Sequence, residues 1–458
     1  MILIAYQDLA VSRSRYGWYF DNCPKNHAVL RNATCARSHG LKGSQYSSSS
    51  HYICDRSIHA HRRLHVPQSQ FGLCSSAINN QACSSSDDGE YDLVTLSNLC
   101  VDVLVSLDEL PDDEDDTERM SLLEELSGNP PSQESWEVGG NTNTLIAAAR
   151  LGMRVGALGL IGEDSFGSFL TEVLEAEGTG IVSGIVDRNL LPGRDHAFET
   201  LACFVLVNTR TNEHSFCSKY DFGPWPLFWN VHSLSDQAVD VLSRARTVFV
   251  NGFVFDEIPE ELVVQAVHVA HGRGAAVIFD PGPRSWTFKE GVRRHALDTM
   301  LDIADIVLMT EEEAGAVIGT EDAEEAVRRL MSRPTRKNTK WVIIKQGERG
   351  ALLGDAETGD LYHQEGYSVP VEDTVGCGDS FAAAIALGFA KGTDIRSMLA
   401  LAGAVGAATA MGRGAGRNVA TVARVEQILL DHLEKHPESS DKIHGALGMI
   451  VDDKKSLV

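Results

Sequence analysis

The sequence predicts an α/β fold, a doubly wound and mainly parallel sheet that is flanked by helices. Short runs of β-branched and apolar residues alternate along the chain with amphipathic stretches of helix length, and this alternation builds βαβ crossovers. Most of the strand-like runs end in Gly, Asn or Asp. Because ligands of such sheets bind at the carboxyl ends of the strands, we expect the functional residues directly after the strands.

The predicted elements begin near Tyr91, where a long apolar run at residues 92–105 indicates a single buried strand. Six further strands are predicted, at residues 155–162, 202–208, 247–253, 275–282, 305–310 and 341–347. Amphipathic stretches that close near Gly or Pro predict helices between them, at residues 164–178, 259–274 and 321–333.

Two stretches interrupt this alternation. The acidic residues 108–136 are interpreted as a solvated loop, with a partner-binding segment as the alternative. Residues 204–216 indicate two extended runs around a polar turn. We therefore predict a small β lid, formed from parts of residues 107–140 and 196–225.

Residues 1–88 differ from the rest of the chain. Residues 1–86 are rich in Ser, lack helical or strand periodicity, and hold nine Lys or Arg against three Asp or Glu. This composition predicts a disordered segment or a transit-peptide-like segment for a plastid or another organelle. A misplaced start codon is a third interpretation, and without targeting we expect a cytoplasmic protein.

The composition of the whole chain excludes several classes of function. A formal net charge of -24 argues against binding to nucleic acid or to anionic lipid. No run of 18 apolar residues is present, which excludes an ordinary membrane span. The nine cysteines form no CxxC pair, and neither a P-loop nor an HExxH motif occurs. The expected partner is therefore a small molecule.

The segment VEDTVGCGDSF, residues 371–381, predicts a site for phosphate chemistry. Gly376, Cys377 and Gly378 would form the first turn of an Ala-rich helix, where free N–H groups and the helix dipole create an anion hole. Asp379 would then face the acceptor hydroxyl and take its proton during phosphoryl transfer. The alternative is a capped helix start without a catalytic role.

This segment resembles the signature of the ribokinase-like (phosphofructokinase-B type) carbohydrate kinase family, in which Asp-Thr-x-Gly-Ala-Gly-Asp closes the active site. The family's second signature is similar to GGNTNTLIAAARLG at residues 139–152, followed by LGLIGEDSFG at residues 158–167. The resemblance implies an ATP- and Mg²⁺-dependent kinase acting on a small sugar-like substrate. We assign residues 89–432 to this kinase domain and residues 433–458 to a C-terminal tail.

The resemblance also implies the substrate contacts. In the family, paired glycines and the Asn residues that follow them touch substrate hydroxyls, a role that falls here on Gly139, Gly140, Asn141 and Asn143. Asp102 matches a strand-end aspartate that accepts hydrogen bonds from sugar hydroxyls; the alternative is an aspartate that faces solvent. The glycine segment is one residue shorter than the common family form, and a neighbouring position that is often Asn in ribokinases is Cys100.

The resemblance also implies the residues that bind the nucleotide. The segment KQGERG at residues 345–350 resembles the family's strand-end loop near ATP. Gly347 and Gly350 would allow close approach of the nucleotide, and Lys345 would assist, although an exposed lysine is the default interpretation. Thr374 is assigned to the nucleotide as part of the first signature.

The family's Asn-x-x-Glu, which organises Mg²⁺ and phosphate, falls on Thr310 to Glu313, with Thr in place of Asn. Glu313 is therefore the predicted metal residue, acting through water, and reduced activity is an alternative outcome of the substitution. Asp280 and Arg284 follow a predicted strand, where Arg284 could reach a phosphate or the segment could be a structural turn.

Two rival functions stay open on the sequence. One is a non-catalytic binding or scaffold protein of the same fold, and the other is a kinase for a nucleoside or a vitamin-like alcohol. A monovalent-cation site and a homodimer also stay open.

Overall fold

A computed structural model of the chain describes residues 91–112, 116–185, 199–211, 213–222, 226–227, 231–282 and 291–451. The N-terminal segment 1–88 and Arg284 lie outside the described residues, so their interpretations stay predictions. In the described part of the chain, no helix has both the length and the apolar character that a membrane crossing requires.

The described residues form thirteen strands: β1 (Tyr91–Leu96), β2 (Leu99–Leu107), β3 (Trp136–Gly140), β4 (Val155–Gly159), β5 (Gly180–Ser183), β6 (Leu201–Asn208), β7 (His214–Ser218), β8 (Ala245–Asn251), β9 (Ala276–Asp280), β10 (Ile306–Thr310), β11 (Trp341–Lys345), β12 (Ala351–Asp355) and β13 (Leu361–Gln364).

They also form thirteen α-helices: α1 (Asp116–Gly128), α2 (Thr142–Arg150), α3 (Ser165–Ala176), α4 (Asp236–Ser243), α5 (Val254–Glu257), α6 (Glu260–His271), α7 (Gly291–Ile303), α8 (Glu311–Ile318), α9 (Ala323–Met331), α10 (Cys377–Lys391), α11 (Ile395–Ala410), α12 (Val422–Lys435) and α13 (Ser440–Val451).

Nine strands make the main sheet, in the order β13-β12-β11-β10-β9-β8-β1-β4-β5. Its central pairs are parallel, whereas β12 and β13 are added antiparallel. Alternate residues enter two separate cores: Leu93 and Ile278 face one, and Val94 and Val277 face the other. Helices therefore cover both faces of the sheet, as parallel strands require, and the predicted doubly wound fold is confirmed.

A second sheet, which we call the lid sheet, has the order β3-β2-β6-β7. Strands β3, β6 and β7 fall within the segments predicted to supply a lid. Strand β2 was not expected there, because residues 92–105 were predicted to form one strand. That prediction is wrong, since β1 belongs to the main sheet and β2 to the lid sheet.

The break between β1 and β2 lies at Ser97 and Asn98. Both have left-handed backbone conformations, with φ of 62° and 56°. Two such residues in succession end an extended run and redirect the chain. No Gly or Pro marks the turn, and apolar residues flank it on both sides, so the Ser-Asn pair itself is the only local signal of the turn.

The acidic segment predicted to be a loop contains helix α1, so the loop interpretation is wrong for residues 116–128. No residue of α1 is fully buried, but Arg119 attaches it to strand β7. The Arg119 guanidinium donates to the carbonyl of Phe216 at 2.9 Å, and the thiol of Cys217 donates to the carbonyl of Arg119 at 3.5 Å.

The segment predicted to be a C-terminal tail is folded over its described part. It holds the end of α12 and helix α13. Ile443 and Ala446 of α13 are fully buried in the same core as α10 and α11. Residues 433–451 therefore belong to the folded unit, which corrects the predicted boundary at residue 432.

Candidate active site

Polar side chains end three neighbouring strands of the main sheet. Asp280 is the last residue of β9, Thr310 of β10 and Lys345 of β11. Because these strands are parallel, their carboxyl ends lie at one edge of the sheet. The first turn of α10 lies at the same edge, since a side chain added at Gly378 would lie 3.4 Å from Lys345 Nζ.

The amino end of α10 has the geometry predicted for an anion hole. Gly376 caps the helix with φ of 77°, a conformation that favours glycine. The N–H groups of Gly378 and Asp379 donate to no acceptor in the described part of the chain, whereas the N–H of Cys377 lies 3.3 Å from the carbonyl of Thr374. Gly376 through Asp379 are all partly exposed, so two free donors point out of the helix end.

Cys377 occupies the first position of this helix, where the related signature has Ala. Burial and, to a smaller extent, the nearby carboxylates of Asp373 and Asp379 together raise the pKa of its thiol to about 12. The thiol is therefore protonated at neutral pH and is a poor nucleophile. The predicted role of Cys377 rests on its backbone.

Asp379 is held by two residues of α2. The amide nitrogen of Asn143 donates to Asp379 Oδ2 at 3.0 Å, and the hydroxyl of Thr144 lies 3.5 Å from Oδ1. Burial raises the pKa of Asp379 to about 6; the Asn143 hydrogen bond opposes this shift, and the carboxylate of Asp280 adds to it. Burial therefore outweighs the hydrogen bond from Asn143 and the charge of Lys345, both of which lower the pKa.

Lys345 is not an exposed lysine. Its side chain is 13% exposed, and its ammonium lies 2.5 Å from Asp280 Oδ2. Burial works against the charge, but the carboxylates of Asp280 and Glu313 prevail and raise the pKa of Lys345. A fixed positive charge thus lies beside the free N–H groups of α10, and Asp280 is a site residue that the sequence suggested only as a neighbour of Arg284.

Thr310 and Glu313 cap helix α8 reciprocally. Thr310 Oγ1 accepts from the N–H of Glu313 at 3.1 Å, and Glu313 Oε2 accepts from the N–H of Thr310 at 2.7 Å. Thr is therefore a competent replacement for Asn as a helix cap. Burial raises the pKa of Glu313 above its ordinary value, although Lys345 opposes the shift.

The predicted nucleotide glycines differ in what surrounds them. A Cβ on Gly350 would overlap the carbonyl of Gln364, so Gly350 serves the packing of β13 against the loop. Gly347 has φ of 58° and open space beside it. Thr374 is exposed at the start of the turn that leads into α10. Gly347 and Thr374 are therefore accessible to a ligand, whereas Gly350 is constrained by protein.

Asp102 projects from β2 over the glycine pair. A Cβ on Gly139 would overlap the carboxylate of Asp102, which explains the glycine. Burial raises the pKa of Asp102 to about 7; the Cys100 thiol, 3.8 Å away, lowers it, and the charges of Glu137 and Asp379 raise it. Asp102 and Asp379 are therefore close enough for their charges to interact, and we call the space beside them, between the lid sheet and α10, the cleft.

The two predicted Asn contacts have other partners. The Asn141 amide is fully buried and donates to the carbonyls of Leu96 and Ser97, at 3.1 and 2.7 Å. Asn143 donates to Asp379 and accepts from the N–H of Gly416 at 2.8 Å. Asn141 therefore holds the β1–β2 junction and faces no substrate, which corrects the prediction for Asn141. Asn143 orients Asp379, and its contact with a substrate stays a prediction.

Glu137 and Arg417 form an ion pair beside Asp102 and were not predicted from the sequence. Glu137 lies beside Asp102 in the β2–β3 register, and Arg417 Nε lies 3.1 Å from Glu137 Oε1. The pair is separated by 280 residues. Neither residue lies in a recognisable motif, so no local signal was present.

The face of the lid sheet that carries Asp102 also carries apolar side chains. Leu104 shares a strand face with Asp102, because residues two apart point the same way. Cross-strand pairs continue this face from Leu104 to Val205 and on to Phe216. Leu104 is 50% exposed and Phe216 46% exposed. The face therefore combines a carboxylate with an exposed apolar stripe.

A family model described as pfkB family carbohydrate kinase matches residues 104–422. The chain is similar to a 5-dehydro-2-deoxygluconokinase of Bacillus velezensis, with 24% identity over 317 residues that cover 68% of this chain and 86% of that protein. Among solved structures, a putative ribokinase II from Escherichia coli in complex with ATP and Mg²⁺ matches with a TM-score of 0.56 and 21% identity, covering 74% of this chain and 99% of that one. An adenosine kinase from Sinorhizobium meliloti matches with a TM-score of 0.57 and 20% identity over the same shares.

Proposed function

This chain belongs to the pfkB family of carbohydrate kinases, which are phosphotransferases with an alcohol group as acceptor, and from that premise we propose that it transfers the γ-phosphate of ATP to a hydroxyl of a small sugar or sugar-like substrate. The observation that carries the proposal is the position of Asp379 beside two free N–H groups and the Lys345 ammonium. A base and an anion-binding helix end are thereby brought together, as phosphoryl transfer requires.

Asp379 acts as the base. The acceptor oxygen forms a bond to the γ-phosphorus as the bond to the β–γ bridging oxygen breaks, ADP leaves with that electron pair, and the hydroxyl proton moves to Asp379. With a pKa of about 6, the carboxylate is mostly ionised at neutral pH and still basic enough to take the proton. Asn143 keeps the carboxylate pointed at the acceptor.

The negative charge of the transferring group is met by fixed donors. The N–H groups of Gly378 and Asp379 and the ammonium of Lys345 converge at the end of α10. Asp280 holds Lys345 in place and keeps it protonated. Such preorganised charges stabilise a transition state without reorganisation during the reaction.

The acceptor binds between Asp102 and the Gly139–Gly140 segment. The carboxylate of Asp102 would accept hydrogen bonds from acceptor hydroxyls, and the bare backbone at Gly139 leaves room for them. The lid sheet carries Asp102, so movement of the lid sheet toward α10 would enclose the acceptor and exclude water that would otherwise hydrolyse ATP.

Mg²⁺ would reach this site with the nucleotide. Among the described residues, no three His, Cys, Asp or Glu side chains form a metal-binding group, and Glu313 Oε2 is already bonded to the N–H of Thr310. Mg²⁺ in kinases is bound mainly by phosphates and water. Glu313 and Asp280 fit such an ion as partners of its water shell, where the ion supplies charge neutralisation for the phosphates.

The curated relatives named 5-dehydro-2-deoxygluconokinase support a sugar as acceptor. A nucleoside-like acceptor is the second candidate, and it is favoured by the apolar stripe of Leu104 and Phe216 beside Asp102. A sugar alone would leave that stripe exposed to water, whereas a base attached to the sugar would cover it.

The test measures Mg²⁺-dependent ADP release with sugars, sugar acids, nucleosides and vitamin alcohols, and identifies the phosphorylated product by mass spectrometry. Asp379→Asn should lower turnover by roughly 10²–10⁴-fold with folding intact, and Asp431→Asn, at an exposed position of α12, should leave it unchanged. Unchanged turnover in Asp379→Asn would remove the proposed base. ATP binding without turnover on any acceptor would favour the scaffold alternative.

A further inference from the structure

Helix α5 forms hydrogen bonds with two of the segments that connect the main sheet with the lid sheet. Glu257 Oε2 accepts from the N–H of Asn98, in the β1–β2 junction, at 2.7 Å. The carbonyl of Asp256 accepts from the N–H of Leu227, on the way back from the lid sheet, at 2.8 Å. The hydroxyl of Tyr220, which closely follows β7, lies 3.5 Å from Glu257 Oε2.

The junction that Glu257 contacts has an unfavourable backbone conformation. Ser97 and Asn98 are the only non-glycine residues with positive φ in the described part of the chain. Such residues persist where the surrounding structure holds them, and they concentrate at functional sites. The carboxylate of Glu257 bonds to the N–H of Asn98 itself, so it stabilises the strained residue directly.

Asn98 also contacts the glycine segment of the acceptor site. Its carbonyl accepts from the N–H of Asn141 at 2.9 Å, and a Cβ on Gly140 would overlap the same carbonyl. Its side-chain oxygen accepts from the hydroxyl of Tyr220 at 3.2 Å. Asn98 therefore connects Glu257 both to the Gly139–Gly140 segment and to the lid sheet.

Burying a carboxyl group at this interior position costs desolvation free energy. Glu257 has no exposed surface, and its Oε1 has no hydrogen-bond partner among the described residues. Burial raises its pKa to about 7, and the donors of Asn98 and Tyr220 oppose this shift. An apolar residue would avoid the desolvation cost, so the carboxyl group points to a role beyond packing.

We propose that Glu257 is a positioning residue of the acceptor site, which holds the Ser97–Asn98 junction in its left-handed conformation and thereby keeps Gly139 and Gly140 beneath Asp102. Glu257 itself does not touch the acceptor. Because it acts on the β1–β2 junction, the same contact sets the angle of the lid sheet relative to the main sheet. The inference rests on the proposed kinase function, since its first readout is the KM for the acceptor.

The kinetic test compares Glu257→Ala and Glu257→Gln with Glu261→Ala, a matched control at an exposed position of α6. Removing the acceptor of a buried N–H should raise the KM for the sugar or nucleoside about tenfold or more while the KM for ATP stays unchanged. The amide oxygen of Gln can still accept from Asn98, so Glu257→Gln should recover most of the acceptor affinity. Glu261→Ala should match the unaltered protein.

The second test needs no activity. Hydrogen–deuterium exchange should be faster in Glu257→Ala at residues 97–107 and 138–145, and unchanged at residues 276–280 and 341–345. If Glu257→Ala does not fold, Glu257→Gln and Tyr220→Phe remain as tests; Tyr220→Phe should raise the acceptor KM by a smaller factor.

An acceptor KM and exchange pattern that stay unchanged in Glu257→Ala would overturn the inference, as would a Gln variant no better than Ala. If Glu257→Ala does not fold, an unaltered acceptor KM in Tyr220→Phe would overturn the link to the lid sheet. Failure of the unaltered protein to phosphorylate any acceptor would instead contradict the kinase proposal. The hydrogen–deuterium exchange experiment would still test the role of Glu257.

Discussion

The amide nitrogen of Asn143 lies 3.0 Å from Asp379 Oδ2, although the two residues are 236 positions apart in the sequence. The contact joins the start of α2 to the start of α10, and it directs the carboxylate that we propose as the base. Since Asn143 also accepts from the N–H of Gly416 at 2.8 Å, its amide orientation is fixed from both sides.

Replacing Asn143 by Ala should lower kcat about tenfold or more, because the carboxylate loses the donor that orients it. The Asn143 hydrogen bond lowers the pKa of Asp379, so its loss should move the acidic limb of the kcat profile to higher pH. Thr144→Val removes the longer 3.5 Å contact and should have a smaller effect. A profile in Asn143→Ala that superimposes on the original would contradict this role.

The activity should depend on pH through two carboxyl groups. Burial raises the pKa of Asp379 to about 6 and that of Asp102 to about 7. Asp379 as the base and Asp102 as the hydrogen-bond acceptor must both be ionised. We therefore expect kcat/KM to be maximal near pH 8 and to fall as the pH drops through 7 and 6. The Asp102→Asn variant should retain only the limb that belongs to Asp379. A rate that stays constant from pH 8 to pH 5 would exclude both assignments.

Asp102→Asn should make the protein more stable while it weakens acceptor binding. The folded-state pKa of about 7 lies above the ordinary value of 3.8, so ionisation of Asp102 disfavours the folded state, and this penalty is largest above pH 7 and shrinks as the pH falls. At pH 8 the free energy of unfolding should rise by about 1–2 kcal/mol. Thermal unfolding at pH 8 and pH 5 provides the check, and a gain that is equal at the two pH values would mean that the buried charge is not its cause.

Gly139→Ala should impair the acceptor site without affecting the nucleotide side. The new Cβ would overlap the carboxylate of Asp102, so Asp102 must move and the acceptor KM should rise about tenfold. Gly128→Ala is the matched control, because a Cβ there meets nothing within 4 Å. An acceptor KM that is the same in both variants would argue against Asp102 as a substrate contact.

The sequence predicted the parts of this site that depend on local pattern. The helix start at Gly376 and the glycine pair at Gly139 are short motifs whose geometry follows from their own residues. The break at Ser97 and Asn98 was missed, because no Gly or Pro marks it and because the hydrogen bond from the N–H of Asn98 to Glu257 joins residues 159 positions apart. The same reason explains the wrong partners predicted for Asn141: its amide bonds to a turn that the sequence did not reveal.

Lys345 should be needed for chemistry, in addition to its effect on stability. Lys345→Met removes the ammonium beside the free N–H groups of α10, and turnover should fall about 10²-fold, as for the loss of one transition-state donor. The same change leaves the carboxylates of Asp280 and Glu313 without their buried cation, so the free energy of unfolding should also fall. Lys340→Met is the matched control, since Lys340 is 56% exposed and lies 3.7 Å from Asp305.

The two effects of Lys345 can be separated with Asp280→Asn. Combining Lys345→Met with Asp280→Asn removes one of the uncompensated charges and should restore part of the lost stability, as measured by denaturant unfolding. Turnover should stay low in the double variant, because the ammonium is still missing. Recovery of turnover together with stability would mean that Lys345 serves only to neutralise Asp280, and the phosphoryl group would then have to be stabilised by the N–H groups of Gly378 and Asp379 alone.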